Sequence, residues 1–380
     1  MAIKVLQVLR GSGTYGGVAS YLLSRYELID HGEIHFDFMF CQKKSFGAHS
    51  GDAVLQDSYV GELDALKARN YLWDYLLLYK RLKNFLHKNS YNVIHINTGS
   101  LPVTFVCLLA AKQSGVKKRI SHSHSTNYQN GKLNTLFWLK PLRFVLQNSI
   151  CKLSTDRLAC SEMAARNMFG DGAYVKIENG INISKFNYDY KVRNSIRAKY
   201  GCSNKIVIGF VGRLEKSKNI PFIIDIMNEL CRNNENYFLW IIGDGTEKEE
   251  ICRIIDQKSI EDKVNLFGTR TDVGDLMQGM DCLVFPSKYE GLSITVVEAQ
   301  ASGLPVVLSD TLSREHKLTD LVQFVPLNDT SEWVSTISKS VKAIDNDREK
   351  YNEEVKAAGY DIADSIAKLV SVYKKVGGQL

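Results

Sequence analysis

No two cysteines stand in a C-x-x-C pair anywhere in this 380-residue chain. The eight present (41, 107, 151, 160, 202, 231, 252 and 282) lie mostly inside apolar runs, as Cys107 does in FVCLLAA and Cys282 in DCLVF. That pattern excludes a zinc framework and a disulfide scaffold, and it implies reduced, cytosolic usage. Long apolar runs are missing too. The longest, near Leu101–Ala111, is far short of the ~20 residues a membrane span needs. The opening MAIKVLQVLR lacks the layout of a secretory leader and reads as a first strand. Repeats of solenoid length and low-complexity segments are absent. A soluble or peripheral cytoplasmic protein is therefore expected, with 44% apolar and 24% charged residues in the ordinary globular range.

Acids are missing from one stretch. Between Tyr75 and Thr155 there is no Asp or Glu, while Lys80, Arg81, Lys112, Arg119, Lys132, Lys140, Arg143 and Lys152 among others are present. Inside it, KLNTLFWLKPLRFVLQNSICKL mixes cations with Leu, Phe and Trp at roughly helical spacing. Two readings stay open: contact with an anionic membrane surface, or a core-packed helix with a solvated basic face. A nucleic-acid partner is not expected, because no binding module accompanies the charge.

What is present alternates strand and helix twice. Strands are expected at 3–8, 35–41, 91–97, 118–124, 157–159 and 175–178, with 46–62 loop-like. The polar stretch 183–204 reads as a connection, and the alternation restarts at Ile206–Val211. The fold class is α/β: two doubly wound parallel-sheet, Rossmann-like domains facing across a cleft. Domain bounds are placed at 1–185 and 205–360, with 361–380 a terminal helix.

The central stretch is DCLVFPSKYEGLSITVVEAQASGLPVVLSD, residues 281–310. It reads as strand, polar loop, helix from Leu292 to Ser302, then strand, which puts the loop at the carboxyl edge of a sheet where open α/β folds bind ligands. Backbone N–H groups of Gly291, Leu292 and Ser293 would open that helix and suit an anion. Glu290 and Glu298 lie too far apart to act on one bond, but could hold two ends of an extended ligand such as a sugar nucleotide.

Other candidates also sit where strands end. Arg213 and Lys218, five apart in GRLEKSK, could clamp a diphosphate. Gly243, Asp244 and Gly245 make a glycine-rich turn. His122 and His124 in SHSHS share one strand face, and a zinc pair is not expected without a third ligand. RGSGTYGG spells G-x-G-x-x-G after a strand, but the acid that a dinucleotide site needs at the end of the second strand is missing.

The run P-S-x-x-E-G with Glu-x7-Glu resembles the retaining glycosyltransferases of GT-B fold, family 4, across nearly the whole chain. The resemblance implies Arg213 and Lys218 on the diphosphate, Glu298 on the ribose hydroxyls and Glu290 nearest the donor sugar. It further implies Gly243–Gly245 near the nucleoside, Thr269 and Arg270 near the base, His124 (with His122 as fallback) over the donor sugar, and Gly16 and Gly17 in a loop closing over the ligands. Residues 361–375 would cross back to the first domain. The expected function is retaining transfer of a hexosyl or N-acetylhexosaminyl unit from a UDP-linked sugar to a glycan or lipid-linked acceptor in cell-surface polysaccharide synthesis. No metal or other cofactor is expected, and the location would be peripheral at the inner membrane face. The alternatives are a nucleotide-sugar epimerase, a dinucleotide-dependent oxidoreductase and a non-catalytic binder.

Overall fold

A computed structural model of the chain describes residues 2–10, 17–41, 59–63, 72–124, 140–343 and 347–375. They fall into two compact units, Met1–Asn179 with Ile362–Leu380, and Gly180–Asp361.

The first unit is built on seven strands: β1 (Ile3–Leu9), β2 (Ile34–Phe40), β3 (Tyr59–Glu62), β4 (Val93–Asn97), β5 (Lys118–Ser123), β6 (Asp156–Ala159) and β7 (Val175–Lys176). Their order is β3-β2-β1-β4-β5-β6-β7. The second has six: β8 (Ile206–Val211), β9 (Tyr237–Ile242), β10 (Val264–Gly268), β11 (Cys282–Phe285), β12 (Val306–Ser309) and β13 (Val322–Val325), ordered β10-β9-β8-β11-β12-β13. Every pairing is parallel. In each sheet the order reverses beside the first strand, at β1/β4 and at β8/β11. Those reversals are where a doubly wound sheet opens at its carboxyl ends.

Strands covered on both faces must be apolar almost throughout, and β11 (CLVF) and β12 (VVLS) are buried along their whole length. The first unit departs from that rule. Gln7, His95, Asn97 and His122 stand enclosed in its three central strands, where each polar atom needs a partner. The helix Ile362–Lys374 belongs to this unit: its Leu369, Val372 and Tyr373 pack with Val5, Phe36 and Ile120.

Three elements differ from the sequence reading. β3 adds an edge strand at 59–62, inside a stretch expected to be loop; residues 46–58 lie outside the described ones. The supposed connection 183–204 holds a 3-10 turn, Ile183–Phe186, and a helix, Tyr190–Lys199, within the second unit. That helix buries only Ile196 and Arg197, so its apolar period is weak. A further helix, Val273–Gly279, contains two glycines required by close packing: a Cβ on Gly274 would lie 2.7 Å from Lys185 O, and one on Gly279 2.9 Å from Trp240.

Asp281 anchors the entry to β11. It accepts from Arg193 Nη2 at 2.5 Å, Arg197 Nη1 at 3.0 Å and Val207 N–H at 2.7 Å. Removing one member of a buried ion cluster strands the others. Asp281→Ala is therefore expected to cost about 3–5 kcal/mol in denaturant unfolding, while Asp281→Glu should retain part of the loss.

Candidate functional site

At the β8/β11 reversal, two loops meet. The loop after β8 carries Arg213 and Lys218, and the loop after β11 carries Glu290. Lys288 N–H donates to Ser217 O at 2.8 Å, tying the loops together, and the Thr311 hydroxyl braces the second loop through Ser287 O and Lys288 O. Lys218 is mostly buried, its ammonium in contact with the Glu290 carboxylate and 5.1 Å from the centre of the Phe285 ring. Burial, then the charge of Arg213, pulls its pKa down to about 8 against the attraction of the Glu215 carboxylate. Arg213 is exposed and pairs with Glu215 at 2.7 Å. Lys216 is exposed.

The helix after this loop spans Ile294–Ala301, with Ser293 as its N-cap, so it starts two residues later than expected. Ser293 N–H is already taken: it donates to His316 Nε2 at 3.1 Å. Nδ1–H of the same ring donates to Ser313 O at 2.8 Å. Burial lowers the pKa of His316 and keeps it the neutral acceptor this geometry needs. The anion-binding role assigned to Ser293 N–H is thus corrected. Gly291 and Leu292 precede the helix rather than opening it. His316 had no motif to flag it.

Glu298 lies one turn into the helix and lines a cavity of about 1210 Å³ shared with Tyr188, Val211, Thr271, Asp272 and Gln278. Its carboxylate has no ion pair or hydrogen bond among the described residues. Burial alone raises its pKa from 4.5 to about 7. Thr269 and Arg270 do not line this cavity, although Thr271 to Asp275 do. Arg270 is held in a two-pronged pair with Asp272, at 2.8 and 2.6 Å.

Gly243 and Gly245 serve the chain's own packing. A Cβ on Gly243 would lie 1.9 Å from Gly212 O, and one on Gly245 2.4 Å from Leu214 O, so both are needed to seat the loop after β8. Asp244 is exposed, accepting from Gly245 N–H and paired with Lys248 at 3.2 Å.

In the first unit, His122 and His124 end β5 with ring centres 3.8 Å apart, one face as the alternation implied. His122 is enclosed, with Nδ1 3.1 Å from His95 Nε2. His124 keeps partial exposure and binds Asn97 Oδ1 through Nε2 at 2.8 Å. Burial drives both pKa values well below the ordinary value, so both rings are neutral. Gly17 begins the helix Gly17–Tyr26; Gly16 and Lys132 lie outside the described residues. The helix Lys140–Leu153 buries Gln147, Ile150 and Leu153 and leaves Leu142, Phe144 and Val145 exposed. Arg143 is committed inward, donating to Asn167 O and Oδ1 at 3.0 Å each. Among the described residues, no helix is long and apolar enough to cross a membrane.

Residues 192–358 match the family described as Glycosyl transferases group 1, which takes in most of the second unit. EpsF of Bacillus subtilis (strain 168), named a glycosyltransferase, is 28% identical over 97% of this chain and 96% of its own length. An Escherichia coli enzyme named UDP-Gal:alpha-D-GlcNAc-diphosphoundecaprenol alpha-1,3-galactosyltransferase is 25% identical over 61% of this chain and 60% of its own. The crystal structure of Anabaena HepE in complex with UDP and glucose superposes with a TM-score of 0.76 at 16% identity, covering 98% of this chain and 100% of that one. Two parallel-sheet units of this order are the GT-B fold, and the chain is a glycosyltransferase. Its second unit carries the sequence of group 1.

Between 4.5 and about 7 the folded protein holds a proton on Glu298 that the unfolded chain has already released. Stability is therefore expected to fall as pH rises through that window and to level off above it. Glu298→Gln should flatten this dependence and raise the melting temperature at pH 8. A wild-type melting curve independent of pH across the window would contradict the assignment.

Proposed function

We propose that the chain is a retaining glycosyltransferase of family 4. It moves a hexosyl or N-acetylhexosaminyl unit from a nucleoside diphosphate sugar, UDP-linked, to a glycan or lipid-linked acceptor in cell-surface polysaccharide assembly. The observation that carries the reading is Glu298, a half-buried carboxylate left unpaired in a cavity of the second unit. A group of this kind is stabilised by two neighbouring hydroxyls, which a ribose supplies. The Escherichia coli enzyme is named for a UDP-linked sugar and Anabaena HepE was crystallised with UDP, which supports the nucleotide.

Lys218 stands ready to exchange the Glu290 carboxylate for a diphosphate, with Arg213 and the N–H groups of Gly291 and Leu292 adding to the field on the leaving group. Charge on the departing diphosphate is met by these groups, with no metal or other cofactor in the role. His124 takes a hydrogen bond from a hydroxyl of the donor sugar. Attack comes from the same face as departure, and the diphosphate receives the proton of the acceptor hydroxyl. Exposed Phe144 and Val145 beside Lys140 would seat the protein peripherally on an anionic membrane.

The epimerase reading differs in needing no acceptor, so donor incubated alone separates the two. Glu298→Ala is expected to weaken UDP binding by about 1.5–3 kcal/mol, tenfold or more, in calorimetric titration. His124→Ala should leave UDP affinity intact and lower turnover. Unchanged UDP affinity in Glu298→Ala would refute the donor site. Phe144→Ser with Val145→Ser and Lys140→Glu should reduce sedimentation with anionic vesicles; undiminished sedimentation removes the membrane contact.

A further inference from the structure

The loop that enters the helix Ile294–Ala301 is tied to the rest of its unit in two different ways. Up to Glu290 it is held by Ser217 O, the Thr311 hydroxyl and Lys218. From Gly291 to Ser293, one backbone N–H reaches another element: Ser293 N–H donates to His316 Nε2 at 3.1 Å. The N–H groups of Gly291 and Leu292 have no hydrogen-bond partner among the described residues. Leu292 also packs into the core, but an apolar contact is non-directional and does not aim these N–H groups.

His316 is enclosed, and its seat does not depend on the loop it meets. Ser313 accepts Glu315 N–H through its hydroxyl and so caps the 3-10 turn Arg314–His316. Nδ1–H of the ring donates to Ser313 O at 2.8 Å, which leaves Nε2 bare in the neutral imidazole. The Gly291 backbone favours a charged ring, and burial outweighs it. Deeper in the same helix, Gln300 is a separate tie. Its Nε2 donates to Val296 O and His316 O, and its Oε1 accepts from Leu318 N–H, Thr319 N–H and the Thr319 hydroxyl. The middle of the helix, where Glu298 stands, is thus held to 316–319 without help from the imidazole.

We infer that His316 is a positioning residue for donor binding: its Nε2 takes Ser293 N–H away from the anion and fixes the turn at which Gly291 and Leu292 N–H meet the diphosphate. This rests on the reading of that turn as the diphosphate site. Ser293 is buried, so without the acceptor its N–H stands unpaired and the turn must shift to satisfy it. Glu298, held through Gln300, stays where it is.

The test uses the full-length chain and two substitutions. His316→Gln puts a carbonyl oxygen near the place of Nε2 and gives up the bond to Ser313 O. His316→Asn keeps a donor near the place of Nδ1 and gives up the acceptor. UDP affinity in calorimetric titration is expected to fall on the order of tenfold in His316→Asn and to stay near wild type in His316→Gln, although both variants melt below wild type. Equal losses of affinity in the two variants overturn the inference. In wild type, amide exchange read residue by residue should show Ser293 protected with or without UDP, and Gly291 and Leu292 slowed when UDP binds. A fast Ser293 amide overturns the inference, a result that needs no variant to fold. If UDP fails to bind wild type, or binds without slowing Gly291 and Leu292, the donor reading of this turn falls and the inference with it. If UDP slows both amides while His316→Asn binds it as tightly as wild type, only the inference falls.

Discussion

A carboxylate drawn partly out of water without a partner is costly, and the cavity of the second unit is lined by one. Glu298 sits on the helix after β11, lines the cavity and binds nothing within the described residues, which is why burial lifts its pKa to about 7. Other acids nearby are satisfied. Asp281 is saturated by two guanidinium groups and a backbone amide, Asp272 by Arg270, and Glu290 is in contact with Lys218. A fold that pairs its neighbours and leaves this one open suits the ribose proposed for it. The loop after β8 is seated by glycines at 243 and 245 that admit no side chain.

The first unit joins several of its buried polar groups to one another. Its central strands carry Gln7, His95, Asn97 and His122 where a parallel sheet usually carries aliphatic residues. They are joined in one branched chain of hydrogen bonds that meets at Tyr373 of the last helix. The terminal helix thus supplies apolar packing through Leu369 and Val372, and also a buried hydroxyl that contacts Gln7 and His95.

Much of this was legible from residues alone. β8 and the unit at 281–310 were readable because a buried parallel strand is a continuous apolar run between turn residues. Glu298 and Lys218 were picked out because their flanks match a known pattern. Local signals failed where tertiary contacts decide. The helix Val273–Gly279 contains glycines that propensity counts against, yet their missing side chains let it approach Lys185 and Trp240. The helix Tyr190–Lys199 is fixed by Arg193 and Arg197 reaching Asp281, more than eighty residues on. His316 carries no motif, and its effect on Ser293 N–H shows only once the chain has folded. Arg143 looked like a surface cation, but its partner is Asn167.

The most direct measurement is a crystal structure with UDP bound. The central claim requires ribose hydroxyls within hydrogen-bond distance of the Glu298 carboxylate, and phosphate oxygens on Lys218 in place of Glu290. UDP bound in the first unit alone, or in the second with Glu298 still unpaired, would contradict it.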